Sequence, residues 1–225
     1  QSIKDAIISS VGLIEQKKYE DIEELVRGAL TVTRNLDLGV NYFNSFDDRF
    51  SRDDEEKDHK FRTIFDSMNE SLEGGMAPKE LAMVVAPPGV GKSLYLANQA
   101  ARSVVDGYDV LYVSLEMSED RVAQRMDSIF THVKQSELKH RRDVIIDRFD
   151  KIKQAKPNMG SLRIKEFPTK RANVNPLRSF LVQLRNVEDF TPDVLIVDYL
   201  ELLSTDAAMP EYQAQERLAQ ELRGL

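Results

Sequence analysis

Leu81-Ala82-Met83-Val84-Val85-Ala86-Pro87-Pro88-Gly89-Val90-Gly91-Lys92-Ser93-Leu94 runs from an apolar stretch through a Pro/Gly turn into a helical pattern. That order predicts a strand over Leu81 to Val85, a phosphate-binding loop, and a helix from Ser93 to Val105. The loop has the Walker A form, with Ala86 where the strict pattern begins with glycine. Small residues let successive backbone N–H groups curl around phosphate oxygens, and the helix that follows directs its positive end at them. In this pattern Lys92 reaches the β- and γ-phosphates and the Ser93 hydroxyl holds Mg²⁺. The bland alternative is an ordinary glycine turn before a helix. The apolar run on one side and the helical pattern on the other favour the site. The stretch implies a bound nucleoside triphosphate, held by Pro88, Gly89, Val90, Gly91, Lys92, Ser93 and Leu94.

The rest of the chain is compatible with such a domain. Its 225 residues suit one sizeable domain, or one domain with an appendage. A hydrophobic content of 41% with 31% charged residues is that of a globular protein. The absence of cysteine excludes disulfides and Cys-ligated zinc. No apolar run is long enough to cross a bilayer and no signal-peptide pattern opens the chain, so the cytoplasm is the expected compartment and no membrane partner is expected. A net charge of -7 argues against a surface coated with cations, but it leaves the distribution of charge open.

Two amphipathic helices are expected before the loop. The first carries Ile3, Ile7, Val11 and Ile14 at helical spacing. The second, over 19–32, carries Ile22, Leu25, Val26, Ala29 and Leu30 on one stripe, behind Glu20, Asp21, Glu23 and Glu24 in its first turns. They read either as packing helices of the same domain or as an arm that lays its apolar stripe on a neighbouring subunit. The charged run from Arg52 to Asp58 reads as a solvated loop rather than a metal site. Phe61 to Leu72 predicts a helix closed by Gly74-Gly75. The expected division is a helical linker over 1–35 and the main domain over 36–225.

After the loop, strands and helices alternate. Asp109 to Leu115 predicts a buried strand, and Ser118 caps a helix bearing Val122, Met126 and Ile129. Ser136 caps a further helix to about Ala155, Leu162 to Phe167 forms a strand, and Asn175-Pro176 opens another helix. Val194-Leu195-Ile196-Val197-Asp198 completes the set. Such alternation predicts an α/β fold, a parallel sheet covered by helices on both faces.

Val194 to Asp198 is also a Walker B pattern: apolar residues ending in a carboxylate at the strand's C-terminal edge, where it holds the water shell of Mg²⁺. Alone the pattern is weak. Downstream of a Walker A lysine in an alternating α/β chain it is strong. Hydrolysis also needs a group that orients the attacking water. Tyr199, not a second acid, follows Asp198, and Glu201 lies two residues further on. Glu116, at the C-terminal end of another strand, sits on the edge where ligands bind in such sheets and is the better candidate. Its alternative role is a charge favouring the next helix N-terminus.

Residues 74–93, GGMAPKELAMVVAPPGVGKS, 111–126, LYVSLEMSEDRVAQRM, and 194–203, VLIVDYLELL, resemble successive motifs of the DnaB-type replicative helicases, especially the T-even phage branch. These are hexameric RecA-fold motors, and the resemblance covers about residues 60 to 225. It implies ATP and Mg²⁺ as cofactors, Lys92 and Ser93 as phosphate and metal residues, Asp198 as the Walker B acid and Glu116 as the catalytic carboxylate. It also implies a homo-oligomer built through the linker helix 19–32, single-stranded DNA as the track, and primase and a helicase loader as partners. Arg125 stands where the family also shows Arg, with no role assigned. The segment from Ser204 to Gln213 resembles a loop facing the DNA channel, yet it carries Asp206 and Glu211 and no cation, so no DNA-contacting residue is assigned. Gln1 and the unfinished helical pattern at the end lead to the expectation of a longer polypeptide. In it, a further strand would separate the Walker A and Walker B strands, and an arginine finger would come from later sequence.

Other features are weaker. Lys139-His140-Arg141-Arg142, interleaved downstream with Asp143, Asp147 and Asp150, reads as a solvated helix face rather than a nucleic-acid patch. His59, His132 and His140 have no partner at metal-ligand spacing. Two alternative functions stand beside the helicase: another RecA-class ATPase of recombinase type, and a nucleotide-gated assembly protein with little turnover. Retention of both Glu116 and Asp198 argues against the last.

Overall fold

A computed structural model of the chain describes Tyr42 and residues 60–167, 174–198 and 211–225. The chain divides into two compact units, Gln1–Arg52 and Asp53–Leu225. All described residues but Tyr42 belong to the second. The two expected N-terminal helices, the boundary at 35/36, Glu201 and the segment 204–210 lie outside the described residues.

Three parallel strands carry the domain: β1 (Val110–Ser114), β2 (Leu162–Glu166) and β3 (Val194–Asp198), in the order β2-β1-β3. The register sets Val110 opposite Leu162 and Val194, and Ser114 opposite Glu166 and Asp198. Two aspartates latch the strand entrances. The Asp109 backbone N–H donates to Asp193 Oδ2 at 2.8 Å, and Asp109 Oδ1 accepts from the Ser161 N–H at 2.6 Å. All three chains thus enter the sheet level with one another, and their C-terminal ends form one edge.

The sheet is covered on both faces, as the alternation of strands and helices requires. Side chains of a strand point alternately to opposite sides. Val110 and Tyr112 of β1, with Val194 and Ile196 of β3, pack against Ala97, Ala100 and Val104 of α2 (Lys92–Val105) and Val122 and Met126 of α3 (Glu119–Thr131). Leu111 and Val113 face the other way. They pack with Leu177 and Leu184 of α5 (Val174–Glu188) and with Leu218 and Leu222 of α6 (Glu211–Arg223). β1 is buried at all five positions, as the central strand should be. The alanines of α2 let its axis lie close to the sheet, which fixes where its N-terminus ends up. Ser118 caps α3 as expected, its Oγ accepting from the Arg121 N–H at 3.4 Å.

Three expectations need correction. Leu81 to Val85 forms no strand, and among the described residues it pairs with none. A strand exists only where a neighbour satisfies its backbone, and the outer edge of β3 is likewise without a described strand beside it. Leu81, Met83, Val84 and Val85 are exposed, Val85 by 84%.

The helix expected over Phe61 to Leu72 is shorter, α1 (Asp66–Ser71). Phe61 instead makes a two-bond antiparallel bridge with Met76, each N–H donating to the other's carbonyl at 2.9 Å. The buried Asn69 amide then takes over residue 63. Its Oδ1 accepts from the Thr63 N–H at 2.7 Å and the Thr63 hydroxyl at 3.0 Å, while its Nδ2 donates to the Thr63 carbonyl. A side chain that satisfies both backbone groups of a residue replaces the helical ladder there.

The helix expected from Ser136 to Ala155 is split. A 3₁₀ turn over Gln135–His140, with Lys134 rather than Ser136 at the N-cap position and no side-chain cap, precedes α4 (Arg142–Ala155). The tighter turn buries Leu138, its only buried residue, and the Arg141 N–H bonds to the Leu138 carbonyl, three residues back.

Candidate active site

The residues singled out in the sequence converge on the C-terminal edge of the sheet. α2 begins at Lys92 with Gly91 as its N-cap at φ +112, a conformation that side chains with a Cβ rarely adopt. The loop residues Pro88, Gly89 and Val90 are exposed, and so is Leu94, whereas Lys92 and Ser93 are half-buried. Because α2 packs on the face that holds Val194 and Ile196, its first turn lies over the end of β3.

There the two halves of the predicted site meet. Ser93 Oγ donates to Asp198 Oδ1 at 2.9 Å, across 105 residues of sequence. Asp198 is 1% exposed, a buried carboxylate that needs partners to be tolerated. Its second oxygen has one: the Tyr112 hydroxyl of β1 donates to Asp198 Oδ2 at 2.7 Å. Burial first, and then the Asp198 charge and the bond to it, push the Tyr112 hydroxyl far above the usual range for tyrosine, so it stays a donor. The half-buried Arg125 of α3 is close enough for its charge to act on Tyr112 in the opposite direction. The backbone contributes too, since the Leu115 N–H donates to the Asp198 carbonyl at 2.7 Å and extends the ladder past the end of the strands.

Glu116 lies in the bend after β1, two residues beyond the Ser114 level that faces Asp198, and it is exposed. It shares the sheet edge with Asp198 and is reachable by a ligand there. Ser114 shapes that bend, its Oγ accepting from the Met117 N–H at 3.0 Å.

The donors present suit Mg²⁺. Ser93 Oγ and Asp198 Oδ1 are both hard oxygen donors, and their 2.9 Å separation is that of adjacent oxygens in an octahedron with bonds of about 2.0–2.1 Å. Among the described residues no group of three His, Cys, Asp or Glu side chains gathers to hold a metal. A cation here therefore needs further oxygens, which phosphates and water provide in this chemistry.

Of the residues singled out in the sequence, Ser93 and Asp198 are in contact, Lys92 adjoins Ser93 at the start of α2, and Glu116 lies on the same sheet edge; Tyr112, which also bonds Asp198, was not among them. The available signal was a hydroxyl-bearing side chain in the middle of an otherwise apolar strand, two residues before Ser114.

The DnaB-like helicase C-terminal domain matches residues 61–225 of this sequence. The chain belongs to that family. The chain is 28% identical to the DnaB-like replicative helicase of Enterobacteria phage T4 over 219 residues, 93% of the chain and 46% of that protein. It is 27% identical to the replicative DNA helicase DnaB of Mycoplasma genitalium over 139 residues, 60% of the chain and 29% of that protein. A shorter stretch of 97 residues, 41% of the chain, is 33% identical to the DNA repair protein RadA of Mycobacterium tuberculosis. A solved structure of a DnaB-like replicative helicase, described with its interactions with primase, superposes with a TM-score of 0.61 at 17% identity. It covers 98% of this chain and 53% of that one, and supports the RecA-like α/β fold. The chain spans about half the length, or less, of the relatives it matches. Among the described residues no helix is long and apolar enough to cross a membrane.

Proposed function

We propose that this domain is the ATP-hydrolysing motor of a ring-forming replicative DNA helicase acting in the cytoplasm. The observation that carries the reading is the contact between Ser93 and Asp198, which joins a Walker A helix to a Walker B strand in a DnaB-like C-terminal domain. Mg²⁺ bound with ATP supplies charge neutralisation at the transferring phosphoryl group. Backbone N–H groups of Gly89 to Ser93 and the N-terminus of α2 bind the phosphates, and Lys92 adds its charge at the β- and γ-positions. Asp198 orients the cation's shell from its buried seat. Glu116, exposed on the same edge, accepts the proton of the attacking water.

The family likeness supports a reading of assembly and track as well. The apolar stripe expected over 19–32 docks on the next subunit of a hexamer, hydrolysis moves the ring along single-stranded DNA, and primase and a loader are its partners. The RadA similarity is the one observation favouring a recombinase-type ATPase instead. Duplex unwinding separates the two. The intact protein, given a forked DNA substrate and ATP, is expected to separate the strands, and Glu116→Gln is expected to stop separation while leaving ATP binding in place. ATP hydrolysis without strand separation under loading conditions would refute the helicase reading and favour the recombinase type.

A further inference from the structure

Tyr112 is 1% exposed at the centre of β1, among Ala97, Ala100, Val122, Met126 and Ile196. Phenylalanine would fill the same apolar space without the cost of burying a hydroxyl. The hydroxyl donates to Asp198 Oδ2 at 2.7 Å. Parallel register puts Tyr112 opposite Ile196, so the ring lies along the same face as Asp198 two residues on, and its tip reaches the carboxylate. The two contacts on Asp198 differ in what holds them. Ser93 comes from the first turn of α2, next to an exposed loop, whereas Tyr112 is fixed by the core.

We infer that Tyr112 is a positioning residue for the metal site: it pins Asp198 Oδ2, which fixes the carboxylate's rotation and keeps Oδ1 facing Ser93 and the cation. The inference rests on the nucleotide reading proposed above. When the Ser93 hydroxyl turns to the cation it leaves Asp198 with the Tyr112 bond as its side-chain anchor. Without that anchor the carboxylate rotates among orientations, only some of which present Oδ1 to the site.

The test uses the intact protein and Mn²⁺ as the probe, with Mn²⁺ affinity measured by electron paramagnetic resonance in the presence of saturating ADP. Tyr112→Phe removes one oxygen and keeps the ring. It is expected to weaken Mn²⁺ binding about tenfold, the scale of one hydrogen bond to a charged group. ADP affinity without metal is expected to stay near wild type, while the thermal midpoint falls by several degrees because Asp198 Oδ2 loses its buried donor. Replacing Tyr112 by 4-aminophenylalanine, which restores a donor at the same place, is expected to recover Mn²⁺ affinity, whereas 4-methylphenylalanine, of similar size with no donor, is not. That second pair decides the matter should the phenylalanine variant fold poorly. Equal Mn²⁺ affinity in wild type and well-folded Tyr112→Phe, or equal loss in both para-substituted variants, overturns the inference and leaves the nucleotide site intact. No Mn²⁺–ADP binding by wild type overturns the nucleotide reading itself.

Discussion

Two glycines with similar backbones should respond to alanine in opposite ways. Gly75 has φ +139 and Gly91 has φ +112, so each variant carries a conformational cost on the order of 1–3 kcal/mol. Their surroundings differ. A Cβ on Gly75 would stand 2.3 Å from the Phe61 carbonyl oxygen, which also accepts the Met76 N–H at 2.9 Å. That oxygen is backbone and cannot retreat without breaking the bridge, adding about 1 kcal/mol for each hydrogen bond lost. Gly75→Ala should therefore cost ~3 kcal/mol or more, a fall in Tm of about 6–12 °C in a domain of this size. A Cβ on Gly91 would meet nothing within 4 Å, and the loop before it is exposed. There the strain can be released by a local shift of the phosphate loop. Gly91→Ala should leave Tm within about 2 °C of wild type and weaken Mg·ATP binding about tenfold, equivalent to 1.4 kcal/mol. Calorimetric melting and isothermal titration of the intact protein give both quantities. Equal losses of Tm in the two variants, or unaltered nucleotide affinity in Gly91→Ala, would refute the reasoning.

Leu111→Ala, at a site with 0% exposure between β1 and α5, is expected to destabilise the domain by about 2–5 kcal/mol in chemical denaturation. The Glu119 carboxyl is held below the usual range first by the Glu166 N–H and then by Lys165, whose Nζ donates at 2.9 Å. A depressed acid contributes stability above its unfolded pKa and loses it as pH falls through the folded value. Glu119→Gln should thus be less stable than wild type at pH 7, with the gap closing below the ordinary glutamate range near pH ~4. In hydrogen exchange, the amides of Val110 to Ser114, central in the sheet, should outlast those of residues 81–86 in the 225-residue chain by orders of magnitude. Equal protection of the two stretches would contradict the sheet described here.

Much of the domain was legible because its signals are local. Val194 to Asp198 is a strand over the expected residues because five apolar or terminal positions match a buried parallel strand. Ser118 followed by Glu119 and Asp120 announced the start of α3. The convergence of Ser93 with Asp198 was readable from motif order alone, since Walker A and Walker B chemistry requires one cation between them. Errors arose where structure depends on partners remote in sequence. Leu81 to Val85 has the composition of a strand, but composition cannot supply the neighbour that a ladder needs. Phe61 to Thr63 looks helical until the Asn69 amide and the Met76 backbone claim its hydrogen bonds. Tyr112 carries no local signal for the same reason: its hydroxyl's partner is a carboxylate 86 residues away.

A helicase motor couples its nucleotide site to DNA. The direct measurement is steady-state ATP turnover by the intact protein with and without single-stranded DNA. A motor of the proposed kind should turn over several-fold faster when single-stranded DNA is present, and the stimulation should vanish in Glu116→Gln. Turnover indifferent to DNA would contradict the helicase assignment, leaving the domain an ATPase of this fold with another purpose.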